Sequence, residues 1–258
     1  MSSIVALSLA LLVIMISVGR QQGWTAFVSI WLNFGAMVLL ITLMAWHLPP
    51  LPLTIAFSVI ILAITIFMGA DNIQATLPAF YASLMTVAFT IILVIITTHL
   101  GMAYGFGFED SDDLQGMSVA FGINYIQISI AITTLATLGA IAEAAIAISS
   151  GMQEVLEKHQ DLGFAPLFNS GMHIGHQIIG TALNTLFFGF FGGLLSLFTW
   201  FAGLHYSPGM IINNQIMVGE LLEILLSFVG VLITVPFTAL ITVFIHERQL
   251  KNNQGQNN

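Results

Sequence analysis

The run Leu138-Gly139-Ala140-Ile141-Ala142-Glu143-Ala144-Ala145-Ile146-Ala147-Ile148-Ser149-Ser150-Gly151 decides how this chain is read. A short polar connection leads from it to Asn169-Ser170-Gly171-Met172-His173-Ile174-Gly175-His176-Gln177-Ile178-Ile179-Gly180-Thr181-Ala182-Leu183-Asn184. The first run sets one carboxylate among small and apolar residues. The second sets two imidazoles and several amides between glycines. Small residues let helix backbones approach closely inside a bilayer, while ionisable groups there are costly and face protein or water. The remaining sequence is mainly apolar span.

Composition points the same way. Of 258 residues, 57% are apolar and only 6% charged, and the mean hydropathy is +0.98. A soluble domain carries about 25% charged residues, so the chain reads as an integral membrane protein whose first partner is the lipid bilayer. Twelve acids stand against four bases, a net charge of −8. So few cations exclude nucleic acid as a partner. With no cysteine there is no disulfide, thiol ligand or thiol nucleophile.

About 20 apolar residues cross a bilayer as a helix. Such segments fall at residues 3–19, 24–46, 53–69, 79–98, 123–145, 180–201 and 221–245. The expected fold class is therefore all-α, a polytopic transmembrane helical bundle of about seven spans. Pro52 and Pro78 fall at or just before helix starts, and Pro236 is expected to kink the last span. The first span is read as a retained helix, because no cationic region precedes it. Arg20, Lys158, Arg248 and Lys251 then share one side, which gives N-terminus out and C-terminus in. Residues 1–251 form one transmembrane domain, and the polar tail 252–258 is expected to be disordered. The acidic run Glu109–Asp113 lies outside and is read as a solvated face.

Two apolar stretches exceed a bilayer's needs, at about 48 Å (119–150) and about 55 Å (165–201) as helix. Gly171, Gly175 and Gly180 make the second a candidate for a broken or in-plane helix before span six. Glu143 near the end of span five, and His173 and His176 before span six, are expected to meet at the inner mouth of one helix pair. Ser170, His173, Gln177, Gly180 and Asn184 recur at helical steps, with His176 beside them.

Glu143 reads either as a proton- or cation-binding carboxylate at a helix interface, or as an interfacial acid that snorkels or caps. The histidines read as a proton relay or substrate contact, or as interhelical hydrogen bonders. His-x-x-His has no third ligand near it, so no metal or other cofactor is expected. Gly139, Ser149, Ser150, Gly171, Gly175, Gly180 and Pro236 are candidates for helix packing. Glu220 and Glu223 read as structural acids at the start of the last span, with Asn213 or Asn214 capping it.

Three blocks give the chain a family resemblance: Gly139 to Ser150, Ser170 to Thr181 with Asn184-Thr185-Leu186, and Val235-Pro236-Phe237-Thr238-Ala239-Leu240. Over residues 80–244 the chain resembles the YibE/F-like family of bacterial multi-pass membrane proteins. It departs from the family pattern in having Glu143 where Asp is usual, and His176-Gln177 where an Arg-Asp pair is usual. The resemblance implies a bacterial plasma membrane location and a complex with a related, paralogous membrane subunit. The expectation is a non-enzymatic subunit of a transporter or permease-like complex, with Glu143, His173, His176, Gln177 and Asn184 along its substrate or proton pathway. The other expectation is a non-transporting scaffold or assembly subunit.

Overall fold

The computed structural model describes residues 3–70, 72–101, 125–159 and 162–256. Among them every regular element is helical: α1 (Ser3–Ala45), α2 (Pro50–Gly69), α3 (Ile73–Gly101), α4 (Tyr125–Lys158), α5 (Phe164–Gly193), α6 (Leu195–Gly203), α7 (Pro208–Ile212) and α8 (Gln215–Gln256). Five helices are long and apolar enough to cross a bilayer, and there are six if α5 and α6 form one bent span. The acidic run 109–113 and Asp71 lie outside the described residues.

The first two expected spans share α1, whose 43 residues would reach about 64 Å if straight. Arg20 divides it, with φ 48° and ψ −121°. A left-handed backbone at a non-glycine residue costs on the order of 1–3 kcal/mol. Gly23 lets the two halves close on each other, because any Cβ there would overlap the Met15 carbonyl oxygen. The second half is tied to α2 by Asn33 Nδ2 donating to Thr65 Oγ1 at 2.9 Å and Gln22 Nε2 donating to the Gly69 carbonyl at 3.0 Å. Two helices stop on histidines in the left-handed region, α1 at His47 (φ 61°) and α6 at His205 (φ 53°). The next amide then reaches back five residues, Leu48 to the Leu43 carbonyl and Tyr206 to the Phe201 carbonyl, the Schellman closure usually given to glycine.

The centre of the bundle is α3, α4 and α8, with α2 packed on α3 and α4, and α5 on α4 and α8. One buried cluster joins α2, α3 and α4 through Leu62, Ile66, Val87, Ile141 and Ala145. A second joins α4, α5 and α8 through Ile148, Met152, Leu167, Val235 and Ala239. Interior hydroxyls are mostly turned onto their own helix, as Thr90 to the Thr86 carbonyl (2.7 Å) and Thr234 to the Gly230 carbonyl (2.8 Å). That is how a threonine sits in an apolar interior without an orphaned donor.

Pro78 lies inside α3 and not at its start, which Asn72 caps by accepting from the Gln74 amide at 2.8 Å. A proline withdraws the amide that would bond the carbonyl four residues back. Here that carbonyl belongs to Gln74, and Gln153 Nε2 of α4 donates to it at 3.4 Å. One turn away, Ser149 Oγ donates to the Ala75 carbonyl at 2.8 Å. These two contacts pin the start of α3 to α4.

The break expected before span six is not there. α5 runs on through Gly171, Gly175 and Gly180, and the chain bends by 42° only at Leu194, between α5 and α6. The first two of those glycines serve close packing. A Cβ at Gly171 would stand 2.6 Å from Met152 Sδ and 2.9 Å from Ala239 Cβ. One at Gly175 would overlap Val235 Cγ1. Backbone approach of this kind is the usual reward of Gly-x-x-x-Gly in a membrane helix.

Candidate functional site

α4 is buried over a wide arc that includes Ala142, Ala144, Ala145, Ile148 and Ser149. Its open side recurs at Ile132, Ala136, Gly139 and Glu143, the spacing of one helical face. Glu143 thus points out of the bundle, while its small neighbours point in. It makes no hydrogen bond or ion pair among the described residues. Gly139 and Gly180 also lie open, with nothing within 4 Å of an added Cβ. Ser150 is half-buried, and Pro236 is half-buried beside Val235 on α8.

α5 divides in the same manner. Leu167, Gly171 and Gly175 are buried against α4 and α8. His173, His176, Gln177 and Asn184 are exposed. His173 Nε2 and Gln177 Nε2 stand 3.3 Å apart, and Asn184 Nδ2 donates to the Gly180 carbonyl at 2.9 Å. The polar stripe is therefore a local network on the outer face of α5. His176 lies off it, toward the α8 flank.

The structure does not bring Glu143 to the histidines. α4 and α5 run antiparallel, with Gly151 against Ile174 and Met152 against Gly171. From that register Glu143 lies about 12 Å further along α4 than the level of His173, eight residues at 1.5 Å each. It falls instead at the level of Thr181 and Asn184.

A cavity lies elsewhere in the bundle. About 450 Å³ opens between α4, α5 and α8, lined by Ala136, Thr185, Phe190, Glu220, Glu223 and Ser227 among others. Asn214 caps α8, its Oδ1 accepting from the Ile216 and Met217 amides at 2.9 and 3.3 Å. Glu220 and Glu223 are then the sixth and ninth residues of α8, beyond the first turn within which the helix dipole acts. Their placement is not explained by that dipole, and both carboxylates flank the cavity. Three-residue spacing puts them on one side of α8, with Ser227 one turn on. Ser227 Oγ donates to the Glu223 backbone carbonyl at 2.9 Å.

Thr185 supplies a further hydroxyl, and Gly189 and Gly193 keep the α5 wall low. Phe190 of that wall is backed by Phe191 at 5.1 Å between centroids, which also meets Phe187 at 4.5 Å and Phe198 at 6.2 Å. Glu143 is seven residues from Ala136 on the same face of α4, about 10 Å along it. The signal for the cavity was present in the sequence as two acids and a serine at one-turn spacing inside an apolar run, the pattern that marks a polar site in a membrane helix.

No group of three His, Cys, Asp or Glu side chains that could hold a metal occurs among the described residues. No curated protein and no solved structure matches the chain. A family model described as YibE/F-like protein matches residues 7–248, nearly the whole length, from the first half of α1 to the last turns of α8. With apolar helices of bilayer length throughout that range, the chain is an integral membrane protein that belongs to the YibE/F-like family.

Proposed function

We propose that this protein is a subunit of a transporter or permease-like complex in a bacterial plasma membrane, and that the cavity between α4, α5 and α8 is where its substrate rests. The observation that carries the reading is a carboxylate pair facing an open volume inside a bundle of apolar helices. A purely structural bundle gains nothing from desolvating two acids beside a void. In this reading Glu143 stands on the path from the cavity along α4. The stripe His173, Gln177 and Asn184, too polar for lipid, is covered by a related membrane subunit.

Counting the two halves of α1 separately gives seven crossings. That arrangement puts Arg20, Lys158, Arg248 and Lys251 together inside, with the N-terminus out and the C-terminus in. The cavity then belongs to the outer half of the bundle. No chemical step on the substrate is part of the proposal.

A scaffold role is the competing reading, favoured by the same outward stripe on α5. Two measurements on one preparation separate them. A mild-detergent pull-down with native mass reports assembly, and solute-dependent pH change in proteoliposomes reports flux. Transport predicts that Glu143→Gln keeps assembly and loses flux. Assembly without flux for any tested solute, in wild type as in the variant, overturns the transporter reading.

A further inference from the structure

The class of ligand that fits the cavity follows from its walls. Its ionisable groups are the two carboxyls, and among the described residues no Lys, Arg or His lines it. The chain's four bases, Arg20, Lys158, Arg248 and Lys251, sit at the α1 break and at helix ends away from it. The site offers two carboxyl groups and no cationic side chain among the described residues that line it.

The volume is the second constraint. About 450 Å³ falls within the ~300–1,000 Å³ of small-molecule sites and greatly exceeds a bare ion. Two carboxylates are also too few to replace the six or more oxygens that a dehydrated calcium ion takes. The third constraint is the apolar remainder: Leu186, Phe190 and Leu194 line the space across from α8, with Ile224 beside Glu223, and the face of an aromatic ring attracts a cation. Gly189 and Gly193 border the space, and a Cβ on either would meet nothing within 4 Å. Side-chain volume has been left out of the wall where the helix could have carried it.

We propose that the cavity binds an organic cation, an amine, guanidinium or quaternary ammonium with an apolar body. Glu220 and Glu223 hold the charge, Thr185 and Ser227 offer hydroxyl oxygens, and Phe190 packs on the body. The proposal rests on the transporter reading for its purpose, but binding is measurable without transport.

The test uses the full chain purified in mild detergent and equilibrium dialysis with two labelled permanent cations of different size, benzyltrimethylammonium and tetraphenylphosphonium. Tetraphenylborate, the anion of matching shape, controls for partition into the micelle. The expected result is saturable binding of at least one cation at one per chain, without competition from the borate. Glu220→Gln/Glu223→Gln should weaken it about tenfold or more, the equivalent of one lost charge-assisted contact of about 1.5–3 kcal/mol. Gly189→Ala adds to the wall a methyl group that meets nothing within 4 Å, so it should weaken binding without lowering thermal stability. Absence of saturable binding for both cations overturns the proposal, as does binding that neither variant changes or that the borate shares. Binding without flux in proteoliposomes leaves the ligand class standing and removes the transport role; flux without cation binding does the reverse.

Discussion

Gly175→Ala adds one methyl group at a close contact between α5 and α8, and its cost can be worked out from the surroundings. The new Cβ would overlap Val235 Cγ1 and lie 3.0 and 3.1 Å from Val235 Cγ2 and Cβ. Val235 is fully packed at 2% exposure, is β-branched and hence stiff at χ1, and precedes Pro236. It has no free rotamer into which to retreat, so α5 or α8 must shift. Overpacking of this kind costs about 1–3 kcal/mol, and the upper half of that range is expected here. Val235→Ala alone removes two methyl groups from a packed site and costs about 1–2 kcal/mol, from about 0.8 kcal/mol per CH2-sized group. In the double variant the added methyl occupies part of the space vacated, so the two losses should fail to add by about 1–2 kcal/mol. The assay is thermal unfolding of the detergent-purified chain followed by size-exclusion fluorescence, with all four members of the cycle measured side by side. A Gly175→Ala variant as stable as wild type, or a double variant whose losses simply add, would refute this account of the α5–α8 contact.

Other expectations follow from single contacts. Ser149→Ala removes the donor to the buried Ala75 carbonyl and should cost about 0.5–1.5 kcal/mol, read by the same unfolding assay. His205→Gly relieves a left-handed residue at the end of α6 and should raise stability by up to about 1 kcal/mol; a loss of stability contradicts the Schellman reading. Gly180→Leu should leave the isolated chain within about 0.5 kcal/mol of wild type, as at an open surface, but prevent capture of a partner subunit if one covers the α5 stripe. His173→Ala with Gln177→Ala should behave likewise in pull-down, and unchanged capture argues that the stripe is not an interface.

Much of this architecture could be read from residue pattern alone, and the reasons differ by element. The apolar segments were legible because a bilayer demands about 20 apolar residues from any span. The boundary expected between residues 19 and 24 coincides with the Arg20 break, while the helices of bilayer length number five or six. Gly171 and Gly175 admit two physical uses, breaking a helix or admitting a neighbour, and only the position of Met152 and Val235 decides between them. The polar stripe of α5 was visible as a periodicity, but periodicity gives the face and not its direction. The direction depends on which side Leu167, Gly171 and Gly175 present to α4 and α8. Glu143 was separated from the histidines by the antiparallel register, a tertiary quantity with no local signature. Glu220 and Glu223 were seen and assigned to the helix dipole, although the Asn214 cap, also read from the sequence, starts α8 at Gln215 and leaves both acids beyond the first turn, where the dipole does not reach.

The hydrogen bond from Gln153 to the Gln74 carbonyl, which Pro78 leaves without its helical donor, has a historical implication. A chain that replaces the proline first regains the ordinary amide–carbonyl bond within α3 and can then lose the Gln153 amide at no cost. A chain that loses Gln153 first must carry the Gln74 carbonyl without its protein donor. The two positions, far apart in sequence, are therefore expected to change in one order among descendants of this protein. Lineages that keep the proline should keep at position 153 a side chain able to donate, whatever else drifts around it.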